Sequence, residues 1–297
     1  MFHFLPPLVK GLLSISLYAI NTIMITLPLI MASLFKFLIP SKAFIIFLDK
    51  LLIWMATLWI EINAINTRLF CRIEWDVRGL ERLKTKEWYL VLSNHQSWVD
   101  ILVLQTILNR KIPMLKFFLK KELIYIPFLG LAWWALDFPF MRRYSKQELE
   151  KNPLLKGKDL ASTKKACEKF KHTPVSIINF VEGTRFTPEK KQQQSNMLTH
   201  LLTPKAGGIA FVLGSMGDHL HTIIDVTIVY PAGIPTFWDY ICGNVHKIIV
   251  DFEVLPITGS LKGDYFNNPN DKKEFYDWLN GLWARKDAKI LNIKNQL

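Results

Sequence analysis

Tyr89-Leu90-Val91-Leu92-Ser93-Asn94-His95-Gln96-Ser97-Trp98-Val99-Asp100 holds the key to the fold. Its first part, with Trp88, is an apolar run of strand composition, so Trp88–Leu92 is expected as a strand. Five small or polar residues and Trp98 follow, and then Val99–Leu108 carries the apolar spacing of a helix. A strand that passes at once into a helix is one half of a βα unit, the building block of parallel sheets.

The same alternation recurs outward from this unit. Ile73–Val77 precedes it as a further strand, and Met114–Leu119 and Phe138–Met141 read as strands flanking a helical stretch, Lys121–Leu136. Leu160–Lys171 has helical periodicity, and Val175–Phe180 is a β-branched run. Then come a helix at Ala206–Leu213, strands at Ile223–Tyr230 and His246–Leu255, and a closing helix, Asp271–Lys289. The expected class is α/β, a mostly parallel sheet flanked by helices. Tyr144–Lys158, with Asn152-Pro153 and Gly157, reads as an exposed insertion, and Thr187–Asn196, with three consecutive Gln, as a mobile loop.

Upstream the texture differs. Gly11–Phe35 is a run of 25 uncharged residues between Lys10 and Lys36. A helix of that length covers a hydrocarbon core of roughly 30 Å, and it is too long for a signal-peptide core. Pro28 inside it is a potential kink. A second apolar stretch, Ala43–Ile60, is interrupted by Asp49 and Lys50, so a re-entrant or interfacial helix competes there with a second crossing. The chain therefore divides into an N-terminal membrane anchor with interfacial helices at 1–69 and an α/β domain at 70–297.

Half of the chain is hydrophobic, 21% is charged and the net charge is +12. That composition excludes a disordered chain and points to an anionic surface. Most of the excess charge follows the apolar segments, which favours the cytoplasmic side. Cys71, Cys167 and Cys242 are few and widely spaced, which argues against a disulfide framework or a cysteine zinc site.

Two segments carry chemistry. His95 stands where a strand ends and a helix begins, and Asp100 comes round the first helical turn. Asp100 is then placed to accept a hydrogen bond from one imidazole nitrogen, fixing the tautomer and leaving the other as a base. No protein nucleophile accompanies the pair, so the nucleophile would be a substrate hydroxyl; the plainer alternative is a helix cap with an incidental His. Glu182-Gly183-Thr184-Arg185 likewise follows a β-branched run, at the strand end where open α/β sheets bind ligands. Arg185 suits a phosphate, with Glu182 orienting it or binding a hydroxyl, against the alternative of a turn with a surface ion pair.

Together these segments resemble the glycerolipid (lysophosphatidic acid) acyltransferase family, whose signature is Asn-His-Gln-Ser-x-x-Asp followed about 80 residues later by Glu-Gly-Thr-Arg. The resemblance covers roughly residues 70–232 in the family's order. It takes in Lys120-Lys121-Glu122-Leu123 with Pro127 and Gly130, Phe138–Arg143, Lys205-Ala206-Gly207 and Val226–Pro231. Asp137–Arg143 and the insertion after it look most like a bacterial inner-membrane branch. The third block has Val181 where the family commonly has proline, and the fourth has Tyr230-Pro231 in place of Val-Pro. Neither departure is expected to touch the base or the phosphate ligands.

The resemblance implies a glycerolphosphate acyltransferase-like fold and acyl transfer from acyl-CoA or acyl-carrier protein to a lysophospholipid hydroxyl. The acceptor it implies is 1-acyl-glycerol-3-phosphate, and the product phosphatidic acid. His95 and Asp100 would be catalytic, and Lys120, Arg143 and Arg185 would hold the substrate phosphate. Asn94, Ser97, Glu182, Gly183 and Thr184 complete the motif, with oxyanion donors near Gly183. Trp133 and Trp134 would lie in the core or line an acyl groove. No metal and no resident cofactor are called for, and the partners are membrane phospholipids on the cytoplasmic face of a bacterial inner membrane. His219 and His221 beside Asp218 read as an exposed turn. Another lysolipid headgroup, a basic nucleic-acid-binding protein and a membrane scaffold are the alternatives; no RNA- or DNA-binding motif accompanies the charge.

Overall fold

The structure, a computed structural model, describes residues 2–81, 83–141, 167–168, 170, 173–216 and 219–296. Arg143, Asp218, the insertion Tyr144–Lys158 and nearly all of the helix expected at Leu160–Lys171 lie outside the described residues.

Two long helices open the chain, α1 (Pro7–Leu38) and α2 (Lys42–Phe70). By length and composition both are long and apolar enough to cross a membrane. They pack antiparallel, joined by the few polar groups they carry. Asn21 Nδ2 donates to the Trp59 carbonyl at 3.0 Å and to Asn63 Oδ1 at 2.8 Å, and Asn66 Nδ2 donates to the Ser14 carbonyl at 3.0 Å. The Asp49-Lys50 interruption does not break α2, because Asp49 pairs across the hairpin with Lys36 at 2.5 Å. Helix α1 likewise runs through Pro28.

The strands are β1 (Glu74–Arg78), β2 (Tyr89–Ser93), β3 (Leu115–Phe117), β4 (Leu119–Lys120), β5 (Phe140–Met141), β6 (Ser176–Phe180), β7 (Thr222–Val229) and β8 (Lys247–Pro256). Six of them form one sheet in the order β1-β8-β7-β2-β6-β3, while β4 and β5 pair separately. Every pairing is parallel except β7 with β8. The short helices are α3 (Val99–Leu108), α4 (Leu129–Ala135), α5 (Pro188–Gln192), α6 (Ala206–Met216) and α7 (Phe237–Ile241); α8 (Pro269–Asn295) closes the chain.

Strand alternation sends side chains to both faces, and both are covered, so the central strand β2 is wholly buried. On one face Val91, Ile178, Val226 and Ile228 pack with Val103 and Leu104 of α3 and with Leu29, Leu48, Leu52 and Met55 of the hairpin. On the other, Leu90, Leu92 and Ile177 meet Ile209 and Leu213 of α6 and Leu279 and Trp283 of α8. The helical hairpin is thus a layer of the domain's own core.

Two local expectations change. Lys121–Leu136 is not one helix: a 3-10 turn at Lys121–Tyr125 is followed by α4, and Pro127 with Phe128 at φ 62 stands between them. Proline disfavours helical backbone at the residue before it, which ends the first segment there. The polar stretch Thr187–Asn196 contains α5, started by Pro188 and capped by the Thr187 hydroxyl on the Lys190 N–H.

Candidate active site

The βα turn after β2 and the loop after β6 meet at the C-terminal edge of the sheet, because β2 and β6 are neighbours in register, Ser93 opposite Phe180. Three bonds sew the loops together. The Val181 N–H donates to the Ser93 carbonyl at 3.2 Å and the Phe186 N–H to the His95 carbonyl at 2.7 Å, while the His95 N–H donates to Glu182 Oε1 at 3.3 Å.

His95 Nδ1 lies 2.9 Å from Asp100 Oδ2, with Asp100 fully buried and the imidazole mostly so. That pairing orients the ring and leaves Nε2 for proton transfer. The carboxylate is a nexus of four donors: Oδ2 also takes the N–H groups of Gln96 at 2.6 Å and Ser97 at 2.9 Å, and Oδ1 takes the Tyr230 hydroxyl at 2.6 Å. The expectation that Tyr230 stands clear of the base is therefore corrected. One face of the imidazole stacks on Phe180, with ring centroids 3.9 Å apart.

The rest of the first motif is scaffold. Asn94, buried, donates to the Ile228 carbonyl and accepts from the Ile228 N–H, each at 2.9 Å. Ser97 Oγ donates to the Pro235 carbonyl at 2.5 Å and accepts the Val99 N–H at 3.1 Å.

Glu182 does not orient Arg185. It is buried, and its second oxygen accepts the Leu202 N–H at 3.1 Å, so it ties both neighbouring loops by backbone. Burial pushes its carboxyl up to about 8, against the opposing pull of those two N–H bonds and of Lys286. Gly183 needs its left-handed φ of 67, and a Cβ there would meet the Lys205 side chain at 3.1 Å. The Gly183 N–H is engaged by the Phe180 carbonyl at 2.8 Å, so it is not a ready oxyanion donor. Thr184 Oγ1 accepts from Lys190 Nζ at 2.7 Å.

Arg185 is exposed and lies over the Trp98 ring at 4.8 Å, which brings the cation of one loop onto the other. Lys120 is exposed at the end of β4, opposite Met141. Sequence reasoning did not select Lys190 and Lys205, which add positive charge beside Thr184 and Gly183; the Lys-x-Gly match was the one signal that marked Lys205. Trp134 is partly exposed and Trp133 packs on the core. Among the described residues no group of three His, Cys, Asp or Glu is gathered as a metal site would be, and the three cysteines are buried and form no disulfide.

A mostly parallel α/β sheet carries a His–Asp pair and an Arg loop on its carboxyl edge, and among the described residues no serine, threonine or cysteine side chain is bonded to the imidazole. The model of the acyltransferase family matches residues 74–231, just over half of the chain, and the chain belongs to that family. It is 24% identical over 233 residues to the mouse 1-acyl-sn-glycerol-3-phosphate acyltransferase epsilon, covering 71% of this chain and 59% of that protein. Against the human gamma enzyme it is 25% identical, covering 76% and 58%. The chain thus spans under three fifths of the length of those relatives. In fold it is similar to the crystal structure of the 1-acyl-sn-glycerophosphate acyltransferase of Thermotoga maritima, with a TM-score of 0.55 and 18% identity over 94% of this chain and 98% of that one.

Proposed function

We propose that the protein transfers a fatty acyl group from an acyl thioester to the free hydroxyl of 1-acyl-glycerol-3-phosphate, giving phosphatidic acid. The observation that carries this reading is the buried Asp100 carboxylate 2.9 Å from His95 Nδ1, at a sheet edge that also holds Arg185. His95 Nε2 takes the proton of the acceptor hydroxyl as its oxygen attacks the thioester carbon. The tetrahedral oxyanion collapses, the C–S bond breaks, and the thiolate leaves with the proton that His95 held. Asp100 stabilises the imidazolium in between; base catalysis of this kind contributes about 10²–10⁴-fold. A thiol, with a pKa near 8.5, needs no strong acid to depart. Arg185, with Lys120 and Arg143 by resemblance, holds the phosphate; acyl-CoA or acyl-carrier protein enters as co-substrate, and no resident cofactor takes part.

The hairpin keeps the site at a lipid surface, on the cytoplasmic face of a bacterial inner membrane. It is held to the catalytic domain from Lys36–Asp137 at one end to Tyr18–Phe237 nearer the other, which favours lying along the interface over standing across the bilayer. The test is acyl transfer to a lysolipid panel by the full-length chain in membranes. His95→Ala and Asp100→Asn should each lower turnover by about 10² or more with the thermal midpoint little changed. Near-normal turnover in either variant would remove the base from this reading.

A further inference from the structure

Tyr230 follows the last residue of β7 and occupies the position where the family pattern has valine. Its placement follows from the sheet. Strands β2 and β7 pair in parallel up to Ser93 opposite Val226. Asn94 then continues the pairing with its side chain, bonding both backbone groups of Ile228. Two residues on, Tyr230 is buried and its hydroxyl meets Asp100 Oδ1 at 2.6 Å, on the carboxylate edge opposite the one that takes His95. A valine at this position has no donor to offer that oxygen.

We propose that Tyr230 is a positioning residue for the His95–Asp100 pair, fixing the carboxylate from behind and sharing its charge with the imidazole. Burial, and after it the adjacent Asp100, keep the phenol proton in place well above its ordinary range, so the hydroxyl remains a donor throughout the neutral range. Among the described residues, other charged and titratable groups stand around the pair. Glu182 approaches from the end of β6 and bonds the His95 backbone, and Arg185 from the same loop lies over Trp98. Tyr240 of α7 stands near Tyr230, and Lys286 of α8 acts on Glu182. Among these described groups, Tyr230 is the side chain that bonds Asp100 Oδ1.

The sign of the effect follows. With the phenol present, part of the carboxylate's charge is spent on a neutral donor. Without it, the carboxylate holds the imidazolium more tightly, so His95 keeps its proton to higher pH and is a free base over a narrower range. The carboxylate also loses its rear anchor. This inference rests on the acyl-transfer reading, so its test includes a readout that needs no turnover.

The experiment uses the full-length protein in detergent micelles, as wild type, Tyr230→Phe, Asp100→Asn and the double variant. Diethylpyrocarbonate modifies the neutral imidazole, and peptide mass analysis of its rate at His95 across pH 5–9 gives a midpoint for each chain. In parallel, kcat, KM and the pH profile of acyl transfer to lysophosphatidic acid are measured. In Tyr230→Phe the labelling midpoint and the acid limb of the pH profile should both rise by about half a unit or more. The turnover should fall roughly tenfold with KM unchanged, the scale of a lost hydrogen bond to a charged group. In the Asp100→Asn background the same change should leave the midpoint where it was. A Tyr230→Phe profile superimposed on wild type would overturn the proposal, as would an equal shift with Asp100 already replaced. If the wild type transfers no acyl group but the midpoint still moves through Asp100, the functional reading fails and the positioning role stands.

Discussion

The Asn94 carboxamide bonds Ile228 twice, accepting its N–H and donating to its carbonyl, each at 2.9 Å. A side chain thereby does the work of one more rung of parallel sheet, at the point where the backbone of β2 must turn away to present His95. Asn94→Asp keeps the acceptor but sets a carboxylate oxygen against the Ile228 carbonyl. It should cost about 1–3 kcal/mol and lower the thermal midpoint by several degrees, with turnover falling alongside. Thermal unfolding and acyl-transfer rates on the same preparation measure both.

The Glu182 carboxyl titrates near 8 in the fold, against about 4.3 in an unfolded chain. Between those values the folded chain keeps a proton that the unfolded chain has lost. This group's contribution to stability therefore declines as pH rises from about 5 to 8. Glu182→Gln should remove that part of the slope in a plot of thermal midpoint against pH. It should also lower turnover, because an amide cannot accept both the His95 and the Leu202 N–H from two oxygens. An unchanged slope would mean that the carboxylate is ionised throughout.

Arg185, held over Trp98, is expected to recognise the substrate phosphate. Arg185→Ala should raise KM for phosphate-bearing lysolipids by roughly 10- to 150-fold and do much less to a phosphate-free acceptor. Arg185→Lys should recover part of the loss, since an ammonium lacks the planar two-point contact. Equal losses on both acceptors would reassign Arg185 to the acyl donor or to the fold.

In the hairpin, Asn21 donates to Asn63 Oδ1 and to the Trp59 carbonyl. Asn21→Leu alone strands the Asn63 carboxamide between apolar helices, at about 0.5–2 kcal/mol. Asn21→Leu with Asn63→Leu should be more stable than that single variant, because replacing both partners removes the two buried carboxamides together. Thermal unfolding in mild detergent, with KM for the acceptor unchanged, checks this.

Much of the fold was readable because β2, β6 and β7 are short, mostly apolar runs closed by turn residues. The βα unit at Tyr89–Asp100 was readable because both of its periods lie within twelve residues. His95 and Asp100 meet across five residues, so local spacing was enough to place them. What stayed hidden depends on distant partners. Asp49 interrupts α2 in sequence but is neutralised by Lys36 of α1. Tyr230 reaches Asp100 across 130 residues, and nothing near it in the chain announces the contact. Glu182 lies next but two to Arg185, which suggested an ion pair, yet its carboxylate turns inward to backbone N–H groups. Pro127 lies inside the stretch that reads as one helix, Lys121–Leu136, because the apolar spacing continues on both sides of it.

The hairpin faces two ways, and each face asks for a different surrounding. Its inner residues, Leu29, Leu48 and Leu52 among them, are almost wholly enclosed with the sheet, while Leu8, Leu12, Met24, Leu27 and Met31 are more than half exposed. Trimming it away to obtain a water-soluble enzyme would uncover the floor of the catalytic domain, and keeping it leaves an oily outer surface that water does not tolerate. Preparation conditions thus become part of the protein's thermodynamics. The choice of detergent or lipid bathing the outer face acts, through a single layer of helix, on the packing beneath His95.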